Sequence, residues 1–247
     1  MNFPQGFRGG AVAAGLKSSG ALDLTIIENQ GPRFDATAVF TTNKVIAAPV
    51  IWSKEVIKGA LVRAVVLNSG GANACTGPQG FLDTHVTAED VGTLLNISSG
   101  EVVVCSTGMI GELLPMDKIK TGLLAIDLNS GDVTSSAQAI MTTDSVPKIA
   151  ASEVDGCALI GIAKGAGMLA PALATMLSVV MTDAIVPKDF SLIFDRVVNR
   201  TFNRIDSDGC TSTNDTVLFM SSGASGKEIS SSTLEIILME VCSSLAK

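Results

Sequence analysis

The stretch that decides how this chain is interpreted is KGAGMLAPALATML, residues 164–177. Its glycines permit a positive φ or the close approach of a ligand to the backbone, and Pro171 fixes its own φ and favours an extended conformation at the residue before it. Ala172 and Ala174 add little bulk next to Thr175. Such a segment can hold a strained peptide bond whose carbonyl is open to attack.

The residue of chemical interest in this stretch is Thr175. A threonine hydroxyl is a weak nucleophile unless a base lies beside it, and His85 is the only histidine of the chain. Breaking the Ala174–Thr175 bond would give Thr175 a free α-amino group, whose reference pKa of about 7.7–8.0 suits a general base. The alternative is that the glycines form a turn and Thr175 starts a buried strand.

Outside this stretch, β-rich segments bounded by Gly, Pro, Asn or Ser alternate with segments of helical spacing. The predicted strands include residues 24–28, 36–41, 61–67 and 101–105. The predicted helices are residues 87–95, 116–126, 135–141, 189–202 and 232–245. Several strands are apolar on both faces, which indicates sheets covered on both sides. We therefore expect an α/β or α+β fold, built as one compact layered sandwich with a surface loop at residues 221–232.

Composition excludes several classes of protein. The 247 residues are 47% apolar and 17% charged, which is typical of a compact folded chain. The net charge of −7 and the absence of a Lys/Arg cluster argue against a nucleic-acid partner. No apolar run reaches the roughly 18–20 residues of a membrane span. Residues 1–10 resemble neither a secretory signal nor a transit peptide, so a cytoplasmic location is expected.

The metal and disulfide chemistry expected of the chain is limited. Its five cysteines are an odd number, widely spaced, and contain no CxxC pair. Neither a disulfide framework nor a zinc site is predicted, and the cysteines are expected to be free and buried. A single histidine excludes most histidine-rich metal sites and leaves only His85 for a Ser-His-Asp triad.

Residues 164–177 match every fixed position of Lys-Gly-x-Gly-Met-x-x-Pro-x-x-Ala-Thr-Met-Leu. This pattern resembles the self-cleavage site of the ornithine acetyltransferases, also called glutamate N-acetyltransferases. The resemblance implies an N-to-O acyl shift and ester hydrolysis between Ala174 and Thr175, giving an α chain of residues 1–174 and a β chain of residues 175–247. It also implies that Thr175 is the nucleophile, and that the fold is the αββα sandwich of the self-processing ornithine acetyltransferases and β-aminopeptidases.

Two other segments resemble functional parts of the family. CSTGMIG, residues 105–111, is similar to the loop whose Thr-Gly pair forms the oxyanion hole, which assigns that role to Thr107 and Gly108. MTTDSVPK, residues 141–148, is similar to a segment whose first threonine contacts substrate, which assigns Thr142 to substrate binding. Lys164 is assigned likewise, since an ammonium group pairs with a substrate carboxylate. From the residues alone, a tight turn, a capping threonine and a solvated lysine remain open.

Further similarity runs through residues 4–7, 68–74 and 208–216, and supports the fold more than the chemistry. Two local departures from the family are Gly71, where asparagine is usual, and Cys210, where aspartate is usual. Family members continue well past the position of Lys247 and have further substrate contacts there, including a glutamate. The resemblance therefore implies a shortened β chain, an incomplete pocket and exposed apolar surface.

The reaction implied by the resemblance is transfer of acetyl from N2-acetyl-L-ornithine to L-glutamate in arginine biosynthesis, through an acetyl-threonine intermediate. Some members also accept acetyl-CoA as acetyl donor. No metal or bound cofactor is required, and relatives assemble two α with two β chains. Two alternatives stay open: a β-aminopeptidase-like hydrolase that passes the acyl group to water, and a fragment that is inactive or depends on a partner chain.

Overall fold

The structure is a computed structural model that describes residues 1–165, 176–206 and 208–247. Two sheets organise this part of the chain. The first has the strand order β1-β2-β4-β5 and consists of β1 (Phe7–Val12), β2 (Leu24–Asn29), β4 (Ala64–Asn68) and β5 (Val102–Ser106). The second has the order β3-β9-β8-β7-β6 and consists of β3 (Asp35–Phe40), β6 (Lys148–Val154), β7 (Cys157–Lys164), β8 (Leu177–Thr182) and β9 (Thr216–Ser221).

Six helices of the described chain surround the sheets. They are α1 (Ala48–Ile57), α2 (Gly77–Leu95), α3 (Met116–Ala125), α4 (Val133–Ala139), α5 (Phe190–Arg200) and α6 (Ser231–Leu245). The two sheets lie face to face, α2 and α3 cover the outer face of the first sheet, and α5 and α6 cover the outer face of the second. The expected αββα sandwich is therefore the observed architecture.

Alternation of side chains along the strands explains why both faces of each sheet are apolar. In β4, Val65 and Leu67 point into the layer between the sheets, whereas Val66 packs on the helices outside. In β9, Leu218 faces inward and Phe219 packs against α5 and α6. Because successive side chains of a strand point to opposite faces, each strand must be apolar throughout to serve two cores. This confirms the expectation drawn from the apolar runs.

The edge strand β5 is covered by side chains of α1 instead of by another strand. Ser53 Oγ donates to the Val104 carbonyl at 2.8 Å and accepts from the Val104 N–H at 3.0 Å. Trp52 Nε1 donates to the Val102 carbonyl at 3.0 Å. These contacts satisfy backbone groups that an open sheet edge would leave unpaired. They also fix the strand that leads directly into Thr107.

Several elements differ from the sequence prediction for physical reasons. α2 begins at Gly77, whereas the sequence predicted a helix from residue 87. The first turns were missed because their buried positions are Gly80, Asp83 and Thr84, which give no apolar periodicity. β1 was not predicted, since it contains two glycines. Gly10 is required there, because a Cβ would lie 2.4 Å from the carbonyl oxygen of Asp127.

Two predictions of exposure were wrong in part. The segment 221–232 is only partly a surface loop, because Ser221 and Ser222 are buried and Ser222 Oγ donates to the Gln5 carbonyl at 2.6 Å. All five cysteines are free, but Cys75 and Cys210 are exposed. No helix in the described ranges combines the length and apolarity needed to cross a bilayer.

Candidate active site

The backbone on both sides of residues 166–175 lies at one end of the second sheet. Lys164 ends β7 and pairs with Leu177, the first residue of the antiparallel strand β8. Leu177 pairs in turn with Thr216, the first residue of the parallel strand β9. The predicted cleavage residues Ala174 and Thr175 lie outside the described residues. Their neighbour Met176 is described and is 1% exposed.

Asp215, one residue before β9, is the acidic group at this end of the sheet. Its side chain is fully buried, and Oδ1 accepts a hydrogen bond from the Met176 N–H at 2.9 Å. Oδ2 is buried and has no hydrogen bond of normal geometry from any residue in the described ranges, although the Ser212 hydroxyl is near enough to act on the carboxylate. Burial raises the pKa of Asp215 to about 7, against the opposing effects of the Met176 N–H, the Ser212 hydroxyl and the charge of Lys164.

Lys164 is the cation of the site, and it is 1% exposed. Its Nζ donates to Thr142 Oγ1 at 3.1 Å, so the structure brings together two of the residues predicted to bind substrate. Burial lowers the pKa of Lys164 to about 8, while the charges of Asp144 and Asp215 oppose that shift. An ammonium has three donors, and this contact uses one of them. Counting only acceptors in the described ranges, the group is held in place with donor capacity left for an anionic ligand.

Asp144 holds the opposite side of the same segment. Its Oδ1 accepts from the Gly165 N–H at 2.9 Å, and its Oδ2 accepts from the Thr142 N–H at 3.1 Å. Asp144 and Asp215 thus bind backbone amides immediately before and immediately after residues 166–175. Both carboxylates act electrostatically on Lys164. Two acids and one lysine consequently fix the ends of the predicted cleavage segment.

The predicted oxyanion loop follows β5 directly. Thr107 is buried, and its N–H donates to the Asn68 carbonyl at 3.0 Å. Gly108 has a φ of +131°, and a Cβ at this position would lie 2.9 Å from the backbone nitrogen of Gly71. Thr107 also forms an isolated antiparallel bridge with Gly71, which holds the loop against the residues that follow β4. The predicted oxyanion role of Thr107 and Gly108 stays a prediction.

Asn214 connects this loop to Asp215. Its Nδ2 donates to the Ala72 carbonyl at 2.6 Å and to the Ser106 carbonyl at 2.8 Å. Both carbonyls are buried, and Ser106 is the residue before Thr107. One side chain therefore joins the end of the first sheet to the start of β9 in the second sheet.

A second lysine, Lys17, lies close to the same charges. The buried carboxylate of Asp23 accepts the N–H groups of Ala14, Leu16 and Lys17 at 2.7, 2.7 and 3.0 Å, which fixes the loop after β1. Lys17 Nζ donates to the Leu22 carbonyl at 2.9 Å. Burial lowers the pKa of Lys17, and the charges of Asp23 and Asp144 oppose this effect. The positive charge of Lys17 in turn contributes to lowering the pKa of Lys164.

His85 belongs to a different environment. It lies on α2 with its ring 5.0 Å from that of Trp52, and its Nε2 is 3.4 Å from Glu89 Oε1. Its side chain is 41% exposed. None of its described contacts is with Thr107, Lys164 or Asp215, so this geometry does not support a histidine-based triad.

Sequence reasoning missed four residues of the site: Asp144, Asn214, Asp215 and Lys17. The first three lie within segments that it identified, but only Thr142 was given a functional role there. The available signal was an acid or amide within a segment that otherwise carries Ser, Thr and Gly. Lys17 offered no such signal, because its place depends on Asp23 folding the loop back. Among the described residues, no three of the His, Cys, Asp and Glu side chains are grouped to hold a metal ion.

Comparison with known proteins gives consistent results. The sequence profile of the ArgJ family matches residues 8–247. The arginine biosynthesis bifunctional protein ArgJ of Thermobifida fusca is 50% identical over 248 residues, covering 99% of this chain but 64% of that protein. The corresponding Streptomyces avermitilis protein is 55% identical over 224 residues, 90% of this chain and 58% of that protein. The chain thus spans less than two thirds of the length of these relatives.

Solved structures agree with the fold. An ornithine acetyltransferase from Mycobacterium tuberculosis, complexed with ornithine, is 51% identical with a TM-score of 0.65, covering 70% of this chain and 94% of that chain. A β-aminopeptidase from Burkholderia sp. has a TM-score of 0.54 at 13% identity, covering 100% of this chain and 87% of that one. At such low identity, the second likeness shows the fold alone.

Proposed function

The chain belongs to the ArgJ family, and from this premise we propose that it is a self-cleaving acetyltransferase that moves acetyl from N2-acetyl-L-ornithine to L-glutamate. One observation carries the proposal. Lys164, Thr142, Asp144 and Asp215 converge on the two ends of the segment that has the self-cleavage pattern. A site that combines the buried lysine Lys164 with a threonine nucleophile suits amino acids that carry a carboxylate and an amine.

The proposed chemistry is a ping-pong acyl transfer. Thr175 Oγ attacks the acetyl carbonyl, and the free α-amine of Thr175 takes the hydroxyl proton. Thr107 and Gly108 donate hydrogen bonds to the oxyanion of the tetrahedral intermediate. Ornithine leaves with a proton on its amine, and the amine of glutamate then removes the acetyl group. Lys164, placed by Thr142, pairs with the substrate carboxylate.

Chain lengths support the proposed cleavage. The 70% of this chain that matches the Mycobacterium tuberculosis ornithine acetyltransferase chain is about 173 of 247 residues, and it covers 94% of that chain. Residues 1–174 have almost the same length. We accordingly propose that residues 1–174 form the α chain and that residues 175–247 belong to the β chain. The same proposal includes an assembly of two α with two β chains. It also includes action in the cytoplasm without a bound cofactor, and the use of acetyl-CoA as a second acetyl donor.

The test combines intact mass with product analysis. Two pieces that meet between Ala174 and Thr175, together with formation of N-acetylglutamate from acetylornithine, would support the proposal. A Thr175→Ala variant is expected to lose both activities, since one hydroxyl serves both. Release of free acetate with no dependence on glutamate would favour a β-aminopeptidase-like hydrolase. An intact chain without transfer would favour a fragment that is inactive or needs a partner chain.

A further inference from the structure

Self-cleavage poses a problem that acetyl transfer does not. During transfer, the free α-amine of Thr175 can act as base, but in the uncleaved chain the same nitrogen is part of an amide and has no basic lone pair. The first attack by Thr175 Oγ therefore needs a different proton acceptor. The proposed function does not itself supply one.

Contacts of the described side chains favour one candidate for this acceptor. His85 lies on α2, paired with Glu89 and packed on Trp52. Both carboxylate oxygens of Asp144 already accept backbone N–H groups. Lys164 donates to Thr142, and the charges of Asp144 and Asp215 favour its protonated form, which cannot accept a proton.

Asp215 differs from these groups because one of its carboxylate oxygens is buried and can still accept a proton. Its Oδ1 is bound to the N–H of Met176, the residue covalently joined to Thr175. Its Oδ2 is buried and has no hydrogen bond of normal geometry among the described residues, although the Ser212 hydroxyl is near enough to act on the carboxylate. Buried polar atoms rarely remain unpaired without a functional reason. The carboxylate is therefore anchored to the residue that follows Thr175 in the chain, and its second oxygen has capacity to accept a proton.

We propose that Asp215 carries the proton during self-cleavage, with Oδ1 positioning the main chain at Met176 and Oδ2 accepting the proton of the Thr175 hydroxyl. This inference rests on the proposed self-cleavage. As Thr175 Oγ bonds to the carbonyl carbon of Ala174, its proton passes to Oδ2. When the C–N bond breaks, the same proton passes to the leaving nitrogen, which becomes the α-amine. Asp215 ends in its starting state, and water then hydrolyses the ester.

The electrostatic surroundings suit this task. Burial raises the pKa of Asp215 to about 7, close to the pH at which a general base works best. Lys164 of β7 acts on Asp215 directly, and Lys164 is in turn acted on by Asp144 and Lys17. The Cys105 thiol is hydrogen-bonded with Thr216, the residue after Asp215, and burial raises the pKa of this thiol to about 12. The thiol therefore stays neutral at the pH of the reaction.

The test follows cleavage of the full chain by intact mass. Chains made by cell-free synthesis are transferred to buffers between about pH 5.5 and 9, the range over which a base of this kind titrates. For the unsubstituted chain, the cleavage rate is expected to rise through about pH 7, the pKa of Asp215. Asp215→Asn can still accept the Met176 N–H through its amide oxygen, but it cannot take a proton. It is expected to cleave roughly 100-fold more slowly, without that rise.

Two further variants separate proton transfer from structure. As a control, Asp127→Asn alters an exposed carboxylate that also accepts a backbone N–H, that of Asn129 at 2.9 Å, and it should keep the unsubstituted cleavage rate and the rise through about pH 7. Asp215→Glu restores a carboxylate on a longer side chain and should regain part of the rate with a shifted midpoint. Circular dichroism establishes that each variant is folded. Should Asp215→Asn not fold, the Glu variant decides, and an unchanged midpoint there overturns the assignment.

The remaining outcomes are distinct. If Asp215→Asn cleaves as fast as the unsubstituted chain, or keeps the rise, the role of Asp215 is refuted while the proposed function stands. If the unsubstituted chain stays intact at every pH, self-cleavage is refuted and the role of Asp215 falls with it.

Discussion

Replacing Asn214 tests whether one side chain joins the oxyanion loop to the rest of the site. Asn214→Ala removes three hydrogen bonds: those from Nδ2 to the carbonyls of the buried residues Ala72 and Ser106, and the one that Oδ1 accepts from the Thr213 hydroxyl. Each bond contributes about 0.5–1.5 kcal/mol, and leaving buried carbonyls without donors adds about 1–3 kcal/mol. We expect the free energy of unfolding to fall by about 2–4 kcal/mol.

Urea unfolding measures this loss directly. The variants are compared in a Thr175→Ala background, so that every sample is one uncleaved chain. With an unfolding slope of about 2–3 kcal/mol per molar urea, the midpoint should move down by about 1 M. The matched control is Asn129→Ala, which removes an exposed contact with Arg8 at 2.9 Å. It should change stability by less than about 0.5 kcal/mol.

The same substitution should also slow the chemistry. With Thr175 intact, Asn214→Ala is expected to reduce acetyl transfer by about 10- to 100-fold, because Ser106 leads directly into Thr107 and Gly108 and small displacements of catalytic groups are costly. A variant that unfolds at the same urea concentration as its parent and transfers acetyl at full rate would refute the connecting role of Asn214.

Three other predictions concern the surroundings of the site. Gly108→Ala should lower the free energy of unfolding by about 1–3 kcal/mol and should slow acetyl transfer, because the φ of +131° and the nearby Gly71 nitrogen both disfavour a Cβ at this position. An Ala variant with full transfer activity would contradict this. Asp23→Ala should free three backbone amides of the loop that carries Lys17, and hydrogen exchange at Ala14 and Leu16 should then accelerate; unchanged exchange would count against the loop assignment. The pKa of Lys164 is lowered from 10.5 to about 8, so the unfolded chain binds more protons than the folded chain between about pH 8 and 10.5. The free energy of unfolding should therefore rise across this pH range, by up to about 3 kcal/mol from this lysine. Urea unfolding at several pH values should show that Lys164→Met lacks this rise.

The sequence could predict those site residues that lie in a short continuous segment with a recognisable pattern. Thr142 and Lys164 were assigned from separate segments, and the structure joins them by a hydrogen bond. The predicted oxyanion loop follows the strand β5, as expected from the apolar residues 102–105. In each case the residue lies in a segment whose pattern carries the prediction by itself, so no knowledge of long-range pairing was needed.

Long-range pairings account for what the sequence could not supply. Asp215 acts on Met176, 39 positions earlier, and Asn214 reaches Ser106 and Ala72 across 108 and 142 positions. Such pairings depend on the parallel register of β8 and β9 and on the stacking of the two sheets. The helix α2 shows the same limit, because Asp83 and Thr84 are buried where periodicity calls for apolar residues.

The charges of the groups that flank residues 166–175 explain why a carboxylate at position 215 suits the proposed reaction both before and after cleavage. Before cleavage, the peptide bond to Thr175 is neutral, and burial keeps the pKa of Asp215 near 7. After cleavage, the new α-amino group can hold a positive charge, and a charge in a buried site is costly unless a counter-charge lies close. The carboxylate that is free to accept a proton in the first stage is then available as that counter-charge. Asparagine could fill the same space and bind Met176, but it could serve neither stage.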